Sequence, residues 1–133
     1  TLEPNAGYLM TVFNGQSLAQ SFLDTGSNGI YFKDAGIVQC KDVKFYCPAS
    51  TLTLMAMLEG QNAVSATISF SVANADTLLA SAPGFVAFPT LAGPYPGTTA
   101  SFDWGLPFYF GRTVYTAVEN ATTSAGTGPY VAF

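Results

Sequence analysis

The sequence predicts a mostly β domain with one or two short helices. Runs of β-branched and aromatic residues alternate with small polar residues, and Gly, Pro and Asn interrupt these runs at short intervals. The chain has 133 residues, of which 49% are hydrophobic, enough to form one core. We therefore expect a single domain over residues 1–133, without an internal repeat or an interdomain linker.

The first part of the chain predicts a hairpin. Residues 8–13 favour a strand, Asn14-Gly15 a tight turn, and residues 18–23 the returning strand. Asp24 then lies where a strand ends, at the start of a second turn. Extended structure is expected to resume at residues 30–32.

A second hairpin is predicted in the middle of the chain. Two alternating runs, residues 51–58 and 64–72, are joined by the polar residues 59–62. It is the most exposed-looking hairpin of the sequence. We assign Met55 and Met57 to the core or a cleft wall, with a hairpin face that contacts substrate as the alternative.

Short elements separated by irregular segments follow. Residues 75–82 favour a helix that begins near Asn74 or Asp76 and ends before Pro83-Gly84. The segment 83–99 is rich in Pro and Gly, which predicts a long irregular connection. The remaining elements are a strand at 102–105, a helical turn at 106–110 ended by Gly111, and a terminal hairpin of 112–119 with 129–133.

The charge balance excludes several functions. The chain has four Lys and Arg residues and eight Asp and Glu residues, so no basic patch is available to neutralise a row of phosphates. We therefore expect no nucleic-acid partner. The chain has no His, which removes Ser-His and Cys-His catalysis and the usual zinc sites, so we expect no metal. Carboxylates, hydroxyls and the backbone remain to carry chemistry.

No membrane span is expected. Polar residues interrupt every apolar run well before the ~18 residues that a spanning helix needs. The chain opens at Thr1 without an initiator Met or a signal-peptide pattern. We interpret it as a mature or trimmed product, or as part of a longer polypeptide.

Two cysteines, Cys40 and Cys47, flank a short loop. Their spacing differs from the C-x-x-C redox motif, and two Cys without His do not complete a zinc site. We predict a disulfide, which implies an oxidising compartment, so that the protein is secreted or periplasmic. A pair of free thiols is the alternative.

The range 22–27, Phe-Leu-Asp-Thr-Gly-Ser, carries the strongest functional signal. An isolated carboxylate at the end of an apolar strand costs solvation energy unless hydrogen bonds compensate it. This motif resembles the active-site turn of aspartic peptidases, the pepsin and retropepsin class. The later range 104–110, Trp-Gly-Leu-Pro-Phe-Tyr-Phe, resembles the loop that threads beside that turn. More narrowly, the ranges 24–29 and 102–115 together resemble a family of bacterial secreted pepsin-like proteins, in which this region is the C-terminal half.

The resemblance implies one lobe of the pepsin-like fold and an Asp24 carboxylate that activates water. Thr25 would reach a facing loop, Gly26 would let its backbone N–H approach the Asp24 carboxylate, and Ser27 would donate to its outer oxygen. Gly105 belongs to the supporting loop. Water is the nucleophile and no cofactor is needed. The substrate would be a peptide or a protein.

One Asp-Thr-Gly is half of such a site. Two carboxylates within about 3 Å share one proton and titrate as a unit. The second aspartate would come from a separate N-terminal lobe or from an identical chain across a two-fold axis, and resemblance to a C-terminal half favours the separate lobe. A non-catalytic peptide-binding module and a structural lobe of a larger secreted protein are the alternative functions.

Asp103 departs from the pepsin-like pattern, in which two apolar residues precede the glycine of this loop. We weigh two roles, a second functional carboxylate near Asp24 and a strand-end or capping residue. Arg112 is expected to pair with Asp103 or Glu119, or to be solvated. Core aromatics are expected at Tyr31, Phe108, Tyr109 and Tyr115, with substrate pockets as the alternative role.

Overall fold

The computed structural model describes residues 1–98 and 100–133, and it is mostly β, with 36% strand and 8% helix. The predicted fold class is therefore confirmed at this level. The strands are β1 (Leu9–Phe13), β2 (Gln16–Ser21), β3 (Ile30–Tyr31), β4 (Leu52–Glu59), β5 (Ser65–Val72), β6 (Ala92–Gly93), β7 (Tyr115–Ala117), β8 (Thr122–Thr123), β9 (Gly126–Thr127) and β10 (Tyr130–Ala132). The helices are α1 (Ala75–Ser81) and a 3₁₀ helix (Leu106–Tyr109).

The largest sheet has four antiparallel strands in the order β2-β1-β4-β5, so the two predicted hairpins lie side by side. The Asn14-Gly15 turn is confirmed, because Phe13 pairs with Gln16 across it. Asn14 has a φ of +49° and Gly15 a φ of +76°, the left-handed pair that matches the twist of a two-residue hairpin.

The second hairpin alternates between the core and the outer face of the sheet. Ala56 and Leu58 point inward and are buried, whereas Met55 is 68% exposed. Met55 is therefore not a core residue, and Met57, which shares its face of the strand, is only partly buried. The cleft-wall and substrate-contacting roles stay predictions. The hairpin tip is held by the N-terminal segment, because Gln61 N donates to Glu3 O at 2.7 Å.

The smaller sheets complete the domain. β3 pairs with β6 in parallel, and β7 pairs with β10 as the predicted terminal hairpin. β6 lies within residues 83–99, so the prediction that this whole segment is irregular is wrong, and Thr99 lies outside the described residues. Helix α1 begins as predicted, since the Asn74 side chain accepts from Thr77 N at 3.1 Å.

Aromatic rings fill the centre of the domain. Phe32 and Phe102 stack with centroids 4.9 Å apart, and Phe102 lies 4.5 Å from Trp104. Phe13 and Phe70 meet Phe102 edge to face. These separations are those at which aromatic pairs attract beyond the area they bury. The cluster therefore fixes the backbone around residues 102–104 from the side of the core.

The predicted disulfide between Cys40 and Cys47 is present, with Cα atoms 4.9 Å apart. It closes the loop that carries Tyr46, which is 1% exposed. The Tyr46 hydroxyl donates to Phe32 O at 2.6 Å and accepts from Asp34 N at 3.1 Å. The disulfide thus holds an aromatic anchor of the core in place.

Two predicted roles are corrected by the packing. Tyr115 is 65% exposed because β7 turns it outward, so it is not a core aromatic, whereas Phe108 is buried as predicted. Arg112 pairs with neither predicted carboxylate: it donates to Phe108 O at 2.9 Å and its guanidinium lies 4.5 Å from the Phe108 ring centroid.

Among the described residues, no helix has the length and apolar character required to cross a bilayer.

Candidate functional site: two carboxylates at one hydroxyl

Asp24 lies just beyond the end of β2. Phe22 still pairs with Asp103 in parallel, and the chain then leaves the sheet and turns. The Asp24 carboxylate is half-buried. Gly26 N donates to its Oδ1 at 2.7 Å, and Ser27 Oγ lies 3.0 Å from its Oδ2. Both predicted contacts within the turn are therefore present.

The Gly26 position has little room for a side chain. A Cβ added there would lie 3.1 Å from Asp24 Oδ1, closer than an ordinary van der Waals contact. The amide approaches the carboxylate because no Cβ stands between them. Thr25 is exposed, and its side chain makes no hydrogen bond within residues 1–98 and 100–133.

The segment 102–104 lies between the end of β2 and β3. Asp103 N donates to Tyr31 O at 2.9 Å, and Tyr31 N donates to Asp103 O at 2.8 Å. On the other side, Trp104 N donates to Phe22 O at 3.0 Å. Asp103 is therefore held by backbone bonds on both flanks rather than standing at a free strand end.

Gly105 brings the segment 102–104 into backbone contact with the turn that carries Asp24. Its φ is +47°, and a Cβ added there would lie 1.9 Å from Gly29 O. Leu106 N donates to Ser27 O at 2.7 Å. Only glycine allows the two backbones to approach this closely, so the loop and the turn are in direct contact, as the sequence indicated.

Asp103 shares Ser27 with Asp24. Ser27 Oγ lies 2.6 Å from Asp103 Oδ2, and Gly105 N donates to Asp103 Oδ1 at 2.9 Å. The two carboxylates therefore have matching partners, one backbone amide each and the same hydroxyl. They differ in burial, because Asp103 is only 5% exposed. Asp103 thus lies near Asp24, and by accepting from the backbone amide two residues ahead it also makes the contact of a capping residue.

Burial controls the ionisation of the groups around Asp103. Desolvation raises the pKa of Asp103 above its usual 3.8, the hydrogen bonds from Ser27 and Gly105 oppose that rise, and the charge of Asp24 adds to it. Burial, and next the charge of Asp103, raise the pKa of Tyr31. Burial also raises the pKa of Tyr109, with further contributions from Asp24 and Asp103.

A cavity of about 420 Å³ opens beside the turn. Its walls are Gly26, Ser27, Asn28, Tyr31, Val86, Tyr95, Pro96 and Asp103. The Asn28 amide donates to Val86 O at 2.5 Å, and the Tyr31 hydroxyl donates to Asn28 Oδ1 at 2.5 Å. Asn28 therefore ties one wall of the cavity, the segment before β6, to the turn that carries Asp24.

Sequence reasoning missed the roles of Asn28 and Tyr31. Asn28 directly follows the Asp-Thr-Gly-Ser motif and Tyr31 lies three positions further on, but Val86, the partner of Asn28, lies in the segment predicted as irregular. The link from Ser27 to Asp103 was missed as well, because 76 positions separate the two residues.

One further cluster has metal-ligating residue types. Cys40, Cys47 and Asp76 place their ligand atoms within 4.8 Å of one another. The two sulfur atoms are bonded to each other, so neither offers a thiolate to a metal ion.

The fold and the site together define a small, mostly β domain in which one hydroxyl joins a half-buried and a buried carboxylate. The chain belongs to the family described as "Protein of unknown function (DUF3443)", whose profile matches residues 1–133. No curated protein and no solved structure matches the chain significantly.

Proposed function

We propose that this chain is one lobe of a secreted aspartic endopeptidase of the pepsin-like class, in which Asp24 activates the water that attacks the peptide bond. The observation that carries the proposal is the environment of the Asp24 carboxylate. One backbone amide and one hydroxyl donate to its two oxygens, at 2.7 and 3.0 Å, within an Asp-Thr-Gly-Ser turn. These hydrogen bonds fix the orientation of the carboxylate, which a general base requires.

The reaction needs a second carboxyl on the far side of the substrate. In its protonated form it polarises the scissile carbonyl, and the ionised Asp24 takes a proton from the attacking water. A second lobe or an identical chain supplies this group. Support comes from Thr25, which is exposed next to Asp24 and is available to contact a facing turn.

The cavity beside the turn has the size of a substrate pocket. Its volume of about 420 Å³ falls within the range of about 300–1,000 Å³ common for ligand sites. Tyr31 and Tyr95 give it apolar walls with polar edges, which suits a peptide side chain. The substrate class is therefore a peptide or an unfolded protein segment.

Non-catalytic peptide binding on the same surface is the second candidate, and one observation favours it. Phe85 and Val86 are 68% and 66% exposed, and Val86 also lines the cavity. Exposed apolar residues at the edge of a pocket are common where peptides bind.

Secretion into an oxidising compartment, the periplasm or the exterior, is part of the proposal. The disulfide between Cys40 and Cys47 supports it, because such bonds persist where the environment does not reduce them.

The experiment compares Asp24→Asn with Asp34→Asn in the full-length protein. Asp34 is a matched control, because Gly36 N donates to its Oδ1 at 2.8 Å in the same local turn geometry, without a second carboxylate. We expect acid-side cleavage of a peptide library that a pepstatin-type inhibitor blocks. Asp24→Asn should reduce that cleavage by about 10³-fold or more, and Asp34→Asn should leave it within about twofold.

Two results would redirect the proposal. Cleavage that survives Asp24→Asn in full would remove Asp24 from the chemistry. Peptide binding that both variants retain, with no cleavage by the unaltered protein at any pH, would establish the binding module instead.

A further inference from the structure

The two carboxylates meet a hydroxyl that has only one hydrogen. Ser27 Oγ lies 3.0 Å from Asp24 Oδ2 and 2.6 Å from Asp103 Oδ2, both within hydrogen-bond distance. A serine hydroxyl donates once and accepts through its lone pairs. If both carboxylates were ionised, one of them would face a lone pair of Ser27 at this distance. Both contacts are hydrogen bonds only when one carboxyl carries a proton.

Burial decides which carboxyl carries it. Oδ1 of Asp24 accepts from Gly26 N and Oδ1 of Asp103 accepts from Gly105 N, so the backbone contacts do not distinguish the two. Asp103 is only 5% exposed, whereas Asp24 is half-buried and partly accessible to solvent. An uncompensated charge is more costly in the buried position, so the proton is on Asp103.

We propose that Asp24 and Asp103 share one proton through Ser27, so that this chain by itself holds a coupled pair of carboxyls. In the resting arrangement Asp103 Oδ2–H donates to Ser27 Oγ, and Ser27 Oγ–H donates to the ionised Asp24 Oδ2. When both hydrogens move one place along this line, Asp103 becomes ionised and Asp24 becomes protonated. One O–H bond breaks and one forms at Ser27, and the total charge is unchanged.

This sharing deepens the proposed function, and its catalytic meaning rests on that function. Asp24 is the carboxylate that contacts water, and Asp103 is a positioning residue that acts on it through Ser27. The line of hydrogen bonds holds the negative charge of Asp24 without a cation. It also allows Asp24 to exist as a base or as an acid while the proton count of the site stays constant.

The other titratable groups near the pair do not ionise in the acidic range. Besides Asp24 in the turn, the titratable groups that act on Asp103 are Tyr31 from β3 and Tyr109 from the 3₁₀ helix. Burial raises the pKa of both tyrosines above 10, so they stay neutral at acidic pH. A proton exchanged there belongs to the two carboxyls.

The test is a ¹³C NMR titration of the aspartate side-chain carboxyls in this chain, with the unaltered protein and two variants. In the unaltered protein we expect the Asp103 signal to titrate above pH 3.8 and the Asp24 signal to inflect at the same pH. Asp103→Asn is nearly isosteric, and its amide can donate to Ser27 and accept from Gly105, like the protonated acid. The variant Asp103→Asn should therefore remove the shared inflection from the Asp24 signal. The variant Ser27→Ala should reduce the amplitude of that inflection in the Asp24 signal by more than half.

Asp34 provides the internal control, since its signal should be the same in all three proteins. An Asp103 signal that titrates below pH 3.8, or an Asp24 signal unaffected by Asp103→Asn, would overturn the proposal. The first of these outcomes is read from the unaltered protein, so the test does not depend on the folding of a variant. The titration requires no cleavage, so it succeeds or fails independently of the peptidase assignment.

Discussion

At the scale of single residues, Asp103 is the least expected feature of the molecule. It is a buried carboxyl whose polar contacts are a hydroxyl and a backbone amide, at 2.6 and 2.9 Å. Hydrogen bonds of this kind lower the cost of burying a charge but do not remove it. Asp103 should therefore connect the stability of the fold to pH.

The change Asp103→Asn should make the free energy of unfolding less dependent on pH. Because burial raises the pKa of Asp103 in the folded state, that state holds its proton to higher pH than the unfolded chain does. The resulting stabilisation is complete below pH 3.8 and is lost as the pH rises through the folded-state pKa. Urea unfolding of both proteins across this window measures the effect.

Asp42→Asn is the control for this series, because Asp42 is exposed and its charge change should alter the pH profile little. As the pH rises from acidic to neutral, the free energy of unfolding of Asp103→Asn should increase relative to that of the unaltered protein. Parallel pH profiles for Asp103→Asn and the unaltered protein would contradict a raised pKa at Asp103.

The sequence predicted the local half of this site. Residues 24–27 form a continuous turn whose contacts reach two or three positions along the chain, so the motif was enough to place Gly26 and Ser27 around Asp24. The contact of Ser27 with Asp103 depends on how distant segments pack. Nothing in the sequence around Asp103 distinguishes a capping residue from a buried partner of Asp24.

At the scale of elements, the segment 102–105 is the support of the site. Asp103 and Trp104 are hydrogen-bonded to β3 and to the end of β2, and Gly105 contacts the turn through its backbone. Glycine is required there by two independent conditions, a positive φ and the absence of space for a Cβ. The cost of the positive φ and the cost of the missing space can be separated by comparing substitutions at Gly105 and Gly111.

Gly105→Ala should be far more destabilising than Gly111→Ala. Gly111 also has a positive φ, +74°, but a Cβ added there meets no atom within 4 Å. Gly111→Ala should cost only the left-handed backbone, about 1–2 kcal/mol. Gly105→Ala adds a clash with Gly29 O, which should bring the loss to about 4 kcal/mol or more.

Urea unfolding of the two variants measures this difference. Equal losses of stability would mean that the loop moves away from the turn at little cost, which would remove the structural basis for a fixed position of Asp103.

At the scale of the whole molecule, sequence and structure agree where contacts are local. Both long hairpins and the helix were predicted, and Asn74 was one of the two residues predicted near the start of the helix, because each of these features depends on neighbouring residues. The order β2-β1-β4-β5 and the parallel pairing of β3 with β6 depend on contacts between distant segments, and alternation of residue types does not encode them. The relation to the pepsin-like class stays a prediction.

The disulfide is the covalent contribution to the stability of the domain. Replacing both cysteines by serine, as Cys40→Ser with Cys47→Ser, should lower the free energy of unfolding by about 2.5 kcal/mol, the loop-entropy value for so short a ring. The physical reason is the greater freedom of the unfolded chain. Urea unfolding with and without reductant measures it.

The unaltered protein should lose stability in reductant, and the double-serine variant should be unaffected by it. An unaltered protein whose unfolding midpoint does not change after complete reduction would show that the hydrogen bonds of Tyr46 hold the loop without help.

Trp104 gives the molecule a built-in optical reporter. It is the only tryptophan of the chain, it is fully buried, and its Nε1 donates to Thr11 Oγ1 at 3.0 Å. Because it directly follows Asp103 and precedes Gly105, its fluorescence emission should be blue-shifted while this segment is seated and should move to the red when the segment is released. Ligands, partner chains and acid can therefore be screened for an effect on the site by intrinsic fluorescence alone, without any label.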